Sequence, residues 1–123
     1  MNFILLIIVY ALISAGGLAL VKHGFATTPI RWGSFAELWA SGWSLLGNFK
    51  FLLGMFLYLS GFVLWLGILS QKQLSYAFPI ASGALYIAIV LTAYAFLGET
   101  ISPLRLFGIA LIGLGAILIG ITL

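Results

Sequence analysis

The sequence predicts an all-α, polytopic membrane protein with four transmembrane helices and a short interfacial helix between helices 1 and 2. The 123 residues are 64% hydrophobic and 6% charged, with a mean hydropathy of +1.30, far from the usage of soluble domains. Four apolar stretches are almost free of charge, and each has about the ~20 residues that a helix needs to cross a ~30 Å hydrocarbon core. These stretches, called spans 1 to 4, are Phe3–Val21, Phe51–Leu69, Tyr76–Leu97 and Leu106–Leu123.

We expect residues 1–123 to form a single four-helix transmembrane domain. Span 1 is expected to be a helix of the mature protein rather than a signal peptide, because it lacks a basic start and three more spans follow it. The composition argues against an enzyme: with no Cys, one His and two acidic residues there is no metal cluster, no nucleophile–base pair and no phosphate loop. We therefore predict no catalytic residue, no metal and no cofactor. The net charge of +3 is dispersed, which favours anionic lipid headgroups over nucleic acid.

The basic residues carry a weak signal for membrane orientation. Lys22, Arg31, Lys50 and Arg105 fall beside the first and third connections, whereas Lys72 falls in the second. The positive-inside rule then places the first and third connections in the cytoplasm and both termini outside.

The first connection, about residues 23–50, is long and rich in tryptophan. Ser34 and Glu37 have the spacing of a capping box, which predicts a short helix over Phe35–Leu46 with Glu37 as a cap. At helical spacing this segment has an aromatic side, so it is expected to lie in the headgroup region as an anchor. A lateral gate or a platform for a lipid headgroup is the alternative. The tryptophans in this connection are Trp32, Trp39 and Trp43.

The other two connections, near Ser70–Leu74 and Gly98–Pro103, are short. They predict antiparallel neighbours and a compact four-helix bundle. Ser102 followed by Pro103 is typical of an N-cap and first helical position, so helix 4 is expected to begin near Pro103.

Lys22 is the most informative charged residue. It follows a stretch of small residues from Ser14 to Val21 that permits close approach of another helix. One interpretation is a lysine that snorkels to the interface. The other is a cation turned inward to hold an anionic group such as a phosphate.

Span 3 has an early proline and several hydroxyl groups. Pro79 predicts a bend and therefore a hinge. Tyr76 lies on one stripe, and Phe78, Ser82 and Tyr86 lie on a neighbouring stripe that is suited to a polar cavity. Hydrogen bonds between helices explain these hydroxyl groups equally well.

Glu99 lies just after the end of span 3, and we expect it to have a structural role. It would pair with Arg105 or Lys22 or cap helix 4, and coupling to protons is the alternative.

Span 4 carries small residues on two faces, since Gly108 and Gly115 are seven apart and Ala116 and Gly120 are four apart. One face can serve the bundle and the other a second subunit, so we predict a dimer interface at Gly108 and Gly115.

Four segments together resemble the drug/metabolite transporter superfamily. They are the stretch from Ser14 to Lys22, residues 74–83 (LSYAFPIASG), residues 96–103 (FLGETISP) and residues 108–115 (GIALIGLG). The likeness extends over all four spans and leaves out the first connection. Among four-helix members the chain is most similar to the small aminoarabinose–undecaprenyl-phosphate flippase subunits and, more distantly, to the small multidrug resistance transporters.

The two groups imply different chemistry. The multidrug group implies an antiparallel dimer that exchanges protons for hydrophobic cations through a membrane-embedded Glu in helix 1, and Ser14 stands at that position. A serine neither exchanges a proton near neutral pH nor counters a buried cation. The flippase group implies three features: a lysine, an aromatic residue before a proline, and a Gly-Glu pair at the end of helix 3. Lys22, Phe78 and Pro79 stand at the first two in this chain. The flippase group needs no intramembrane carboxylate.

The leading hypothesis is therefore a multi-pass transporter of the cytoplasmic (inner) membrane that flips a polyprenyl-phosphate-linked sugar, or a related anionic lipid. Lys22 would bind the phosphate with Arg105 or Lys50 nearby. The partner is expected to be a second copy or a related small subunit. One alternative is a small multidrug resistance-like exporter of cations or small metabolites, and another is a non-transporting subunit of a glycosyltransferase complex. The expected cavity residues are Ser14, Tyr76, Ser82 and Tyr86.

Overall fold

The computed structural model describes residues 2–122, which form five α-helices. The helices are α1 (Phe3–Thr27), α2 (Phe35–Leu46), α3 (Phe49–Gln71), α4 (Leu74–Phe96) and α5 (Pro103–Gly120). Helices α1, α3, α4 and α5 are each long and apolar enough to cross a membrane. The predicted fold class is confirmed, and the chain is a multi-pass membrane protein. Leu123, the last residue of predicted span 4, lies outside the described residues.

Local side-chain chemistry sets where the helices begin. Ser34 Oγ accepts a hydrogen bond from the Glu37 N–H (3.2 Å), and Ser102 Oγ accepts one from the Arg105 N–H (3.2 Å). Both serines were predicted as N-caps, and Pro103 occupies the first turn of α5 as expected. The Ser34 cap fixes the start of α2 within the long first connection, and the Ser102 cap fixes the end of the short third connection.

Helix α1 lies at the centre of the bundle. It packs along α3 and, less extensively, along α4, whereas α5 packs on α4. Helices α3 and α4 contact each other little, although only a tight turn joins them. The helices therefore lie side by side in the order α3, α1, α4, α5. This differs from the predicted compact bundle, in which helices that follow each other in the sequence are neighbours. In this order α5 is peripheral, and none of its described residues is buried.

Small residues explain why α1 and α3 pack so closely. A Cβ placed on Gly17 would lie 2.7 Å from the Tyr58 backbone nitrogen and 2.8 Å from the Gly54 carbonyl oxygen. A Cβ placed on Gly54 would lie 2.6 Å from both the Gly17 carbonyl oxygen and the Val21 nitrogen. The two backbones are thus in direct contact, as in membrane helix pairs that place small residues at their interface.

The bundle has two ends of different character. At the Lys22 end, α1 and α4 finish and α3 and α5 begin, whereas at the Lys72 end α3 finishes and α4 begins. A small apolar core lies toward the Lys72 end, where three helices meet. Its buried members are Leu6, Ile7, Ile68 and Ala77.

Helix α2 is amphipathic and presents its aromatic side outward. On its inner side Ser41 is 6% exposed, and its hydroxyl group accepts from the Arg31 N–H (3.0 Å) and donates to the Glu37 carbonyl (2.8 Å). On its outer side the ring of Trp39 lies 6.3 Å from that of Phe35 and 6.0 Å from that of Trp43, and all three side chains are exposed. Aromatic rings on one side of a short helix are typical of a segment lying in the membrane interface.

Depth-dependent fluorescence quenching tests this position of α2. In variants that retain one tryptophan, Trp39 and Trp43 should be quenched more strongly by doxyl groups near the lipid headgroup than by doxyl groups deep in the acyl chains. Trp65 lies within α3 and provides the internal reference. It should be quenched more strongly by doxyl groups deep in the acyl chains than by doxyl groups near the headgroup. Equal depth profiles for Trp39 and Trp65 would contradict an interfacial α2.

Candidate functional site

A polar cavity lies in the gap between α3 and α4, with α1 as its floor. The cavity exists because α3 and α4 scarcely touch each other. Its volume is about 320 Å³. We call it the central cavity, and it is lined by Tyr10, Ser14, Tyr58, Phe62, Trp65, Phe78, Ser82, Leu85 and Tyr86.

Each helix contributes one stripe of residues to the central cavity. On α1, Tyr10 and Ser14 are one turn apart, and on α4 the same spacing relates Phe78, Ser82 and Tyr86. Ser14 is 2% exposed. A Cβ placed on Gly61 would meet the hydroxyl oxygen of Ser14, so the absence of a side chain at Gly61 leaves room for this hydroxyl group.

The walls of the central cavity combine hydroxyl groups with aromatic rings. The Trp65 ring lies 6.0 Å from the Tyr10 ring and 5.6 Å, edge to face, from the Phe78 ring. Three tyrosines and two serines contribute hydroxyl groups, and none of the nine lining residues is charged. Such walls suit a neutral ligand with many hydroxyl groups, because they supply donors and acceptors but no charge. The side chains of Phe62 and Tyr86 are exposed, which leaves the cavity open sideways.

A second recess runs between α1 and α4 at the Lys22 end. Its volume is about 330 Å³, and its walls are mostly apolar side chains of the two helices. We call it the entry groove. A larger recess of about 650 Å³, the outer recess, shares four residues with it, namely Lys22, Phe25, Leu97 and Glu99.

An ion pair stands where the entry groove meets the outer recess. Lys22 Nζ lies 3.0 Å from Glu99 Oε1, which connects the last turns of α1 to the segment between α4 and α5. The side chains are 67% and 37% exposed, so the pair is a surface one and contributes only about 0–1 kcal/mol to stability. Of the two partners considered for Glu99, the structure selects Lys22.

The backbone beneath Glu99 is held by the C-terminal cap of α4. Gly98 adopts φ +66°, a left-handed conformation that glycine accepts readily, and the Glu99 N–H bonds to the Ala93 carbonyl oxygen (3.1 Å). This cap turns the chain so that the carboxylate reaches α1.

The structure brings together only part of the predicted site. Ser14, Ser82 and Tyr86 line the central cavity and Lys22 lines the entry groove. Tyr76 does not line the cavity, because its ring lies 5.8 Å from Phe3 near the Lys72 end. The reason is the helical period: six residues before Ser82 correspond to about 9 Å of rise and a different face of α4.

The two other predicted phosphate ligands also lie apart from Lys22. Arg105 is exposed in the first turn of α5 and lines neither recess. Lys50, at the start of α3, lines a different recess together with His23. Lys22 therefore stands at the groove with Glu99 as its charged neighbour.

The predicted hinge and dimer residues have clear positions. Helix α4 continues without interruption through Pro79. Ala116 of α5 faces Gly83 of α4. A Cβ placed on Gly83 would lie 2.9 Å from the Ala116 Cβ. A Cβ on Gly108 or on Gly115 would meet no atom of residues 2–122 within 4 Å. One small-residue face of α5 thus packs on α4, and the Gly108 and Gly115 face is left uncovered.

Sequence reasoning missed Tyr10, Phe62 and Trp65 as cavity residues. The helical spacing in the sequence could have identified two of them. Tyr10 precedes Ser14 by one turn and Trp65 follows Tyr58 by two turns, so each pair lies on one face of its helix.

The two sites are separated along α1. Lys22 follows Ser14 by eight positions, which corresponds to about 12 Å of helix. A ligand group held at Lys22 and a ligand group in the central cavity are therefore at different depths.

The chain matches no family model, no curated protein and no solved structure. Its function has to be inferred from these residues and their geometry.

Proposed function

We propose that this protein is a small transporter that flips a polyprenyl-phosphate-linked sugar, or a related anionic lipid, across the cytoplasmic membrane. The observation that carries the proposal is the pairing of two unlike sites along α1. One offers a lysine at the mouth of an apolar groove, and the other offers hydroxyl groups and aromatic rings deep in the bundle. An amphipathic ligand with an anionic group, a neutral polar group and a long apolar chain needs sites of these two kinds.

Each part of such a lipid has a suitable environment in the protein. The Lys22 ammonium would bind the phosphate through charge-assisted hydrogen bonds. The sugar would pass the central cavity, where the hydroxyl groups of Ser14, Ser82 and Tyr86 can replace its hydrogen bonds to water. The isoprenoid chain would stay outside the central cavity, between helices and in contact with lipid, because the cavity is open sideways. Neither catalysis nor a cofactor is needed for this movement.

A second candidate, export of a hydrophobic cation, is favoured by one observation. Trp65, Tyr10 and Phe78 form a cluster of aromatic rings on the cavity wall, and such rings attract cations. The cavity has no carboxylate to neutralise a cation, since Ser14 stands at the central position of α1. This candidate would therefore require an acid from a partner subunit.

The proposal includes a second subunit, either a copy or a related small protein. Four spanning helices leave the central cavity open on one side, and α5 presents the uncovered face of Gly108 and Gly115. Glycines on an uncovered membrane helix permit close contact with another helix. The arrangement of α5 supports this partner without identifying it.

The test is a flipping assay in proteoliposomes with a fluorophore-labelled polyprenyl-phosphate sugar. The fraction of label that a membrane-impermeant quencher can reach reports the movement. Lys22→Ala should slow movement by about tenfold or more, because a hydrogen bond to a charged group is worth about 1.5–3 kcal/mol and 1.4 kcal/mol is tenfold. Lys72→Ala, which removes a lysine at the opposite end, is the matched control and should leave the rate nearly unchanged.

Unchanged movement in the Lys22→Ala protein would show that Lys22 only snorkels to the interface. Failure of the wild-type protein to move the sugar lipid, combined with movement of a quaternary cation, would favour the second candidate.

A further inference from the structure

We infer that Glu99 and a lipid phosphate compete for Lys22, so that an anionic lipid enters the groove between α1 and α4 by displacing the Glu99 carboxylate. This inference rests on the proposed function, which needs Lys22 as a phosphate ligand. It adds a residue, Glu99, that sets how tightly the phosphate binds, and it places the apolar chain of the lipid in the entry groove.

The position of the ion pair is the first argument. Lys22 and Glu99 line both the entry groove and the outer recess, so a lipid that passes from one to the other must pass between or beside them. The carboxylate oxygen lies 3.0 Å from the ammonium nitrogen, which is also the distance at which a phosphate oxygen would bind. A phosphate bound to Lys22 would thus contact the same ammonium group that the Glu99 carboxylate contacts.

The ease of displacement is the second argument. Both side chains of the pair are substantially exposed, so solvent screens their attraction. The phosphate monoester of undecaprenyl phosphate offers three anionic oxygens to the ammonium group, whereas a carboxylate offers two. The backbone of Glu99 is fixed by the cap at Gly98 and by the bond from its N–H to the Ala93 oxygen, so its side chain can swing away while α4 and α5 stay in place.

The walls of the entry groove are the third argument. Apart from Lys22, Glu99 and Thr92, its lining is apolar, including Leu18 and Ala19 of α1 and Ile89 of α4. A cation at the mouth of an apolar groove is complementary to a lipid that carries one anionic group on a hydrocarbon chain. A free phosphate ion would use the cation but not the walls.

A double-mutant cycle tests the competition. Undecaprenyl phosphate is titrated into the detergent-solubilised full-length protein, and bound lipid is counted by native mass spectrometry. Glu99→Gln should tighten binding by about two- to fivefold, because it removes a competitor worth up to about 1 kcal/mol. Lys22→Ala should weaken binding, and in the Lys22→Ala protein the further change Glu99→Gln should gain nothing. Glu37→Gln, which removes the other acidic residue of the chain, is the matched control and should not alter the affinity.

Labelling of the wild-type protein gives a readout that does not depend on any variant folding. A carbodiimide and an amine modify free carboxylates, so undecaprenyl phosphate should increase modification of Glu99 and leave that of Glu37 unchanged. Inorganic phosphate at the same concentration should have little effect. An equal effect of inorganic phosphate would contradict the role of the groove in holding the chain.

The outcomes separate this inference from the proposed function. If the wild-type protein binds the lipid and Lys22→Ala weakens binding, but Glu99→Gln does not tighten it and labelling does not change, then the competition is wrong and the proposed function stands. If the wild-type protein does not bind undecaprenyl phosphate at all, both fail.

Discussion

Gly17→Ala is expected to destabilise the protein strongly, whereas Gly16→Ala, one residue earlier in α1, is expected to be neutral or slightly stabilising. A methyl group on Gly17 would lie 2.7 Å from the Tyr58 nitrogen and 2.8 Å from the Gly54 carbonyl oxygen. Both are backbone atoms, so relief requires α1 and α3 to separate. Overpacking of this kind costs about 1–3 kcal/mol, occasionally more.

Gly16 provides the matched control because a Cβ there would meet no atom of the described part of the chain within 4 Å. Both changes replace glycine by alanine in the same helix, so they share the same gain in helix propensity, about 0.5–1 kcal/mol. The difference between the two therefore reports the contact with α3. It can be measured as the free energy of unfolding during titration of a mild-detergent micelle with dodecyl sulfate. Similar stabilities for the two variants would mean that α1 and α3 do not pack through Gly17.

The second large effect is expected at Asn48, which connects α1 to α3. Its Oδ1 accepts from the Phe51 N–H (3.1 Å) as the N-cap of α3, and its Nδ2 lies 2.9 Å from the Gly24 carbonyl oxygen. The same Nδ2 lies 3.0 Å from Thr27 Oγ1 and 3.1 Å from Thr28 Oγ1. Asn48→Ala removes the cap and the connection together, so we expect a loss of about 2 kcal/mol of unfolding free energy.

Asn48→Asp separates the two roles of this residue. Aspartate retains the acceptor for the Phe51 N–H and adds a negative charge that the start of a helix favours. It has no donor for the end of α1, so it places an oxygen against the Gly24 carbonyl oxygen. We expect Asn48→Asp to be less stable than wild type and α3 to remain helical by circular dichroism. An aspartate variant as stable as wild type would mean that the connection to α1 contributes nothing.

The elements of the fold were predictable because local chemistry determines them. Length and hydropathy identified the four spans, and Ser34 and Ser102 marked the beginnings of α2 and α5. The order of the helices was not predictable in this way. Contact between Gly17 and Gly54 depends on which faces of two distant segments meet, and a short loop between α3 and α4 gives no information about a third helix that packs between them.

The site was predictable where one helix alone determined it. The stripe of Phe78, Ser82 and Tyr86 on α4 does line the central cavity, and Ser14 joins it from α1. Tyr76 was included for its hydroxyl group, although its position on the helix points it elsewhere. The partner of Glu99 was left open between Arg105 and Lys22, because the turn at Gly98 determines the choice and only the structure shows its direction.

The central position of α1 has a consequence for biosynthesis. The ribosome makes α1 before α3 and α4, the two helices that cover it, so α1 must first stay in the bilayer by itself. It is the most hydrophobic of the four spans, which makes that possible. The glycine face of α1 then remains available to lipid, or to any other nascent helix, until α3 is inserted. The contact between α1 and α3 can therefore form only once α3 has entered the membrane, and α5 can be added to an already assembled three-helix unit because it packs on α4.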